Sequence, residues 1–334
     1  DRYRSSDEIM KRSGTIRWYF AAALVLTGAA FAASLAVGRY PIDWAQLMAD
    51  GMDRRVFLTL RLPRTCMALL AGFALGVAGS VYQAVFQNPL AAPDIIGVSS
   101  GASVGAAAAI LLFGGGVVLT ALLAFAGGMA AVLVVLSLAG FARRQGVTGI
   151  VLAGIAVNAL TESLLMLMKL TADPEKQLAA IEFWTMGSFA DVTLQKLCGV
   201  LPLAVIGLAG LFLLHRQILL LGLSEDEARM LGVPVGMMRR VVLLLATLVT
   251  GVVVSVTGLI SFIGLLAPHI ARLLARSSRF STTVLSGIVG GALLLCADIL
   301  ARSIGSSEIP VSIITSLLGA PFLFWLMCKR GTAQ

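Results

Sequence analysis

Apolar runs of about 20 residues, long enough to cross a hydrocarbon layer, recur along this chain with only short polar breaks between them. That pattern restricts the fold more than any motif does. Inside a bilayer every backbone N–H and C=O must be satisfied within the protein, which leaves helices and closed barrels. Barrel strands would alternate in polarity over roughly ten residues, and no such alternation is present. The expected fold class is an all-α polytopic membrane protein. Ten spans are predicted, at about 18–37, 62–86, 94–112, 117–141, 148–169, 192–214, 241–257, 259–271, 282–301 and 311–328. The eighth is short and contains Pro268, so a broken or tilted helix buried among its neighbours is expected there.

Composition agrees. The chain is 58% hydrophobic and only 13% charged, with mean hydropathy +0.95, which excludes an ordinary soluble enzyme of this length. The net charge of +8 comes from basic residues scattered between spans. It reads as positive charge at membrane surfaces, with no nucleic-acid patch. Cys66, Cys198, Cys296 and Cys328 form no CxxC pair and read as small buried residues, not a disulfide framework or metal site. No cleavable signal peptide is evident. Residues 1–17 are polar and basic and read as a cytoplasmic segment ahead of a single membrane domain over 18–330. The lysine and arginine bias then places both termini in the cytoplasm, together with Arg143, Arg144, Arg216, Arg229, Arg239, Arg240, Arg272, Arg276 and Arg279. Arg39, Arg54, Arg55, Arg61, Arg64 and Arg302 fall on the outer side against that bias.

Two polar breaks stand out. Asn88 to Gly101 is proline-punctuated and leads into glycines at 97, 101 and 105, a tight reversal followed by a helix whose small-residue face admits a close neighbour. Leu223 to Pro234 reads as a complete short helix. Ser224 is the N-cap and Glu227 completes a capping box. Acids fill the first turn, where the helix dipole favours them. Gly232 suits a left-handed C-terminal position, and Pro234 prevents continuation. Two turns are unstable alone, so this element either lies on the protein's own surface or docks a soluble partner. The chain carries no Walker A sequence, HExxH or Rossmann glycine pattern. Uphill transport would need an ion gradient or a partner chain.

Several segments stand together in one order: Arg61-Leu62-Pro63-Arg64, the Asn88–Gly105 stretch, the Ser224–Pro234 helix, Gly258 to His269, Ala297 to Arg302, and Leu318 to Phe322. In these the chain resembles, over about residues 18–330, the permease subunit of type II ABC importers for vitamin B12, iron–siderophore complexes and haem. The resemblance implies a dimer of ten-helix permeases, a homodimer being expected. It also implies two ATP-binding subunits holding ATP and Mg²⁺, and a periplasmic or lipid-anchored substrate-binding protein. The chain itself would bind no cofactor or metal and have no catalytic site. Its place would be the bacterial inner (plasma) membrane. The segment at about 223–236 would couple to the ATPases through Ser224, Glu225, Glu227, Arg229, Leu231 and Gly232. Arg61, Arg64 and Arg302 would dock the binding protein.

The resemblance also makes the fifth span a channel wall. Asn158 and Glu162 are four apart and share a helix face, with Thr161 beside them. An ionisable residue within a span points to function, or else Glu162 bonds to a neighbouring helix. Val147 and Thr148, in the loop from Gln145 to Gly149, are gate candidates. Asp298 and Arg302 are spaced for an ion pair, and His269 reads as structural. The expected function is import of iron chelates, ferric siderophore or haem, by alternating access powered by the partner ATPases. Cobalamin import is the alternative, and an ion-coupled carrier using Glu162 or Asp298 is the reading from another class.

Overall fold

Wherever an apolar run was predicted, the computed structural model has a helix, but their lengths differ more than the sequence suggests. The structure describes residues 2–331 except 39, 45–50, 142–145, 276–279 and 305–307. Arg39, Arg143, Arg144, Gln145, Arg276 and Arg279 therefore lie outside the described residues. In chain order the helices are α1 (Arg2–Ala36), α2 (Met52–Val56), α3 (Leu62–Val85), α4 (Val98–Phe113), α5 (Val117–Phe141), α6 (Val147–Thr171), α7 (Ala179–Met186), α8 (Leu194–Leu213), α9 (His215–Leu221), α10 (Glu225–Met230), α11 (Val235–Thr257), α12 (Ile263–Ala275), α13 (Phe280–Ser303) and α14 (Val311–Gly331). Among the described residues seven segments are long and apolar enough to cross a membrane, and α4, α12 and the Val311–Phe324 part of α14 supply three shorter apolar helices. Together they account for the ten predicted spans.

Two spans are built differently from expectation. The second does not begin at residue 62. A π turn over Phe57–Arg61 joins α2 to α3 in one segment, Met52–Val85, so Arg54, Arg55 and Arg61 are helical. The third is split. A short 3₁₀ turn, Pro93–Ile96, ends at Gly97 with φ +82°, and α4 starts there.

Helices α3, α11, α12 and α13 form the centre, while α1, α5, α6 and α8 keep most of their surface outside it. Glycine sets the closeness of the central contacts. A Cβ on Gly72 would lie 2.3 Å from the Gly290 carbonyl oxygen, and one on Gly101 2.5 Å from that of Gly127. The expected small-residue face of α4 is thus the face packed on α5. In lipid, where apolar side chains gain nothing by leaving hydrocarbon, such backbone proximity is what holds helices together. Pro268 sits inside α12 without breaking it. Its ring removes the helical bond to the carbonyl of Gly264, and that carbonyl abuts Gly79 of α3 so tightly that a Cβ there would be 1.7 Å away. The four cysteines are free, as expected, but Cys198, Cys296 and Cys328 are exposed, not buried. A thiol is apolar enough to sit on a lipid-facing surface.

Candidate functional site

The predicted 224–234 helix is present in detail. The Ser224 hydroxyl accepts from the Glu227 N–H, and the Glu227 carboxylate accepts from the Ser224 N–H at 3.1 Å and its hydroxyl at 2.8 Å. Those bonds hold the Glu227 carboxyl below the usual carboxylate range. Gly232 adopts φ +80°. The Val233 N–H reaches the Ala228 carbonyl and the Gly232 N–H that of Arg229, the paired bonds of a Schellman C-terminus. Ala228 and Val233 are buried and fix the inner face. Glu225 pairs with Arg229 at 2.8 Å and lies 3.7 Å from the buried Arg239 of α11. Of the expected coupling residues, Ser224, Glu225 and Glu227 therefore build and anchor the helix. Arg229, Leu231 and Gly232 face outward. The sequence reading missed Met230 and Met237, which are 80% and 60% exposed. It also missed Gln87, held at φ +50°, whose side-chain amide donates to the carbonyls of Leu221 at 3.2 Å and Leu223. That amide ties the cytoplasm-expected end of α3 to the α9–α10 turn. The proline-marked break at Asn88-Pro89 was the available signal.

Along α6, Asn158 and Glu162 line a cavity of about 350 Å³ with Asp94, Ser99, Ser100 and Lys169. The Asn158 amide donates to the Asp94 carbonyl at 2.7 Å and accepts from Ser100 at 2.6 Å. Asn158 therefore pins α6 to the 93–96 turn, and Gly154 reinforces the contact by approaching Ile95. Lys169 is paired with Glu182 at 2.8 Å, so the carboxylates of Asp94 and Glu162 make the cavity acidic. Thr161 does not line it; its hydroxyl donates back to Val157 and Asn158 on its own helix. Val147 and Thr148 line a separate cavity with Phe86, Asn88 and Ile95 at the other end of α6.

The three expected docking arginines all point inward. Arg61 is buried and donates to the carbonyls of Leu35 and Ala36, both at 2.9 Å, and to that of Tyr40. Its guanidinium thus satisfies carbonyls at the end of α1 that have no helical partner. Arg64 donates to Asp298 through Nε and Nη2, at 3.0 and 2.8 Å, and to Glu308 through Nη1 at 2.8 Å. Arg302 donates to the Ser34 carbonyl and hydroxyl at 2.7 and 2.6 Å and lies 3.5 Å from Asp298. The predicted Asp298–Arg302 pair exists, but Arg64 takes the shorter bonds to the same carboxylate. At this end of the bundle Arg54 and Arg55 are the exposed arginines of α2. His269 is buried, as a structural histidine would be. No group of three metal-ligating side chains occurs among the described residues.

Ten apolar helices, a polar cavity along one of them and a capped helix presented beyond the spans define a multi-pass membrane permease. The chain belongs to the FecCD transport family, whose model matches residues 23–329. It is 36% identical to the vitamin B12 import system permease protein BtuC of Klebsiella pneumoniae, over 94% of this chain and 95% of that one. It is 33% identical to the molybdate import system permease protein MolB of Haemophilus influenzae, over 89% and 92%. The "Probable iron chelatin transport system permease protein" of Helicobacter pylori is 36% identical over 83% of each. A solved structure, "An inward-facing conformation of a putative metal-chelate type ABC transporter", superposes with TM-score 0.86 at 32% identity, covering 94% of this chain and 99% of that one. The chain is an ABC importer permease.

Proposed function

We propose that this permease imports iron chelates, ferric siderophore or haem, as the passive membrane part of an ATP-driven complex in the bacterial inner membrane. The observation that carries the reading is α10. It is rigidly capped, tied to α11 by Arg239 and to α3 by Gln87, and it presents Arg229, Met230 and Leu231 outward. Exposed apolar side chains on a pinned helix are what a docking surface requires. Six crossings separate the N-terminus from α10, and ten separate the two termini. With the basic bias, α10 and both termini then lie in the cytoplasm, where ATP-binding subunits with their ATP and Mg²⁺ would grip the segment at about 223–236.

The acidic cavity on α6 bears on the substrate. A tetrahedral oxyanion such as molybdate would meet Asp94 and Glu162 without an unpaired cation to offset them, whereas a neutral or cationic chelate, its metal already fully coordinated, meets no such repulsion. Cobalamin is the second reading, favoured by the identity to BtuC. A second copy of the permease would cover α6. A periplasmic or lipid-anchored binding protein would meet Arg54 and Arg55 first, and would reach Arg64 by replacing Glu308 with a carboxylate of its own. Gating would fall to Val147 and Thr148. The test is uptake into proteoliposomes holding the complete complex, with ferric siderophores, haem, cobalamin and molybdate compared side by side. ATP-dependent accumulation of an iron chelate is expected. Accumulation of molybdate alone, or uptake by the permease alone on a proton or sodium gradient, would overturn the reading.

A further inference from the structure

At the end of the bundle opposite α10, a cavity of about 500 Å³ opens where α5 and α8 both pack along α11 without an extended interface of their own. It belongs neither to the α6 pathway nor to the arginine cluster. Its lining is part charged and part aromatic. Lys176, Lys196 and Asp191 supply charge, and Phe183 and Trp184 supply aromatic surface. The Lys196 ammonium feels the Asp191 carboxylate but makes no hydrogen bond or ion pair among the described residues. Two lysines against one aspartate leave the lining with one net positive charge. Thr120, at the start of α5, lines the same cavity. It is 8% exposed, and its hydroxyl has no partner among the described residues. A buried hydroxyl without a partner is costly, so this wall is complete only when something polar fills the space. Beyond the cavity both flanking helices continue with exposed apolar side chains, Val118 and Leu122 on α5, Leu201 and Val205 on α8.

From this geometry we infer a binding site for an anionic phospholipid of that leaflet. The phosphate is held by Lys176 and Lys196, a glycerol or ester oxygen meets the Thr120 hydroxyl, and an acyl chain lies in the groove between α5 and α8. In this placement Trp184 is the amphipathic ring that anchors at the headgroup. A phosphate ion shares the headgroup's charge but leaves the apolar groove unfilled, and for that reason the lipid is the occupant the site fits. The site rests on none of the transport assignments.

The experiment is native mass spectrometry of the full-length protein released from nanodiscs of equal parts phosphatidylglycerol and phosphatidylcholine. The wild type should retain a phosphatidylglycerol in preference to phosphatidylcholine. A lysine near the membrane surface contributes enough that Lys196→Gln should lower that preference about fivefold, and Lys196→Gln with Lys176→Gln about thirtyfold. Lys196→Arg should keep it, which separates charge from folding, and Thr120→Val should weaken retention with either headgroup. Equal retention of both lipids by the wild type would overturn the proposal, as would an unchanged preference in Lys196→Gln. Release of the lipid by excess inorganic phosphate would assign the site to an ion instead.

Discussion

At Asp298 a carboxylate with no solvent exposure faces two guanidinium groups, and those of Arg64 and Arg302 both depend on it. Removing one member of a buried ion pair strands the others, at a cost of about 3–5 kcal/mol. Asp298→Asn should therefore lower stability by about 3 kcal/mol, the lower end, because Arg64 keeps Glu308. Thermal unfolding in detergent checks this, and an unchanged midpoint would show that the arginines need no carboxylate here. Glu308 behaves differently because it is 27% exposed at its side chain. Glu308→Gln should leave folding nearly intact while freeing one edge of Arg64. If the binding protein engages Arg64 by exchange, its affinity for the variant should rise several-fold at low salt, where charge contacts are least screened; equal affinities would remove Arg64 from the interface. The i, i+4 spacing made the Asp298–Arg302 pair legible in the sequence. The Arg64 contact spans 234 positions, and no local pattern encodes it. The burial of Arg61, Arg64 and Arg302 within the monomer was for that reason not legible in the sequence.

Among the elements, α10 was read almost residue by residue, because capping chemistry is local: a hydroxyl, an acid three positions on, a glycine and a proline. The reversal after Asn88 was legible from its prolines and glycines, but the 3₁₀ turn Pro93–Ile96 that it contains and the π turn ahead of α3 were not. Both are imposed by packing of distant segments, which local propensity does not record. Ser224→Ala removes the N-cap acceptor and should cost about 1 kcal/mol, seen as faster amide exchange across 225–230 with the spans unaffected. The same cap is pH-dependent. Because Glu227 is held below its ordinary carboxylate range by Ser224, its contribution is fully present above the unfolded value of about 4.3. It is lost as pH falls through the lowered folded value, so local protection of α10 should decline in acid in the wild type and much less in Glu227→Gln. Gly232→Pro should go further. Proline cannot adopt φ +80° and has no N–H for the Arg229 carbonyl, so the Schellman turn should open. ATP hydrolysis by the assembled complex should then proceed with little uptake, whereas normal coupled uptake would remove α10 from the drive path.

Across the whole molecule, burial is uneven in a way that a single copy does not explain. In α6 the apolar window is only 17% buried, yet the helix carries Asn158 and an exposed Glu162. A carboxylate facing lipid costs several kcal/mol, so this face suits a partner or a water-filled passage far better than hydrocarbon. In α14, Leu317, Leu318 and Phe324 are likewise exposed, and α6 and α14 share no extended interface. Each therefore presents a face of its own to whatever lies beyond the monomer. A second copy placed across α6 would put the two acidic cavities on one axis. That arrangement predicts proximity of equivalent α6 positions. In a variant with Cys66, Cys198, Cys296 and Cys328 replaced by serine, a cysteine at Ile155, 59% exposed, should cross-link to its counterpart under mild oxidation in native membranes. The product should run at twice the monomer mass on a non-reducing gel. A cysteine at Leu122, on the lipid-expected face of α5, should stay monomeric. Cross-linking at Leu122 but not along α6 would move the dimer interface to α5, and α6 would then need another partner to shield Glu162.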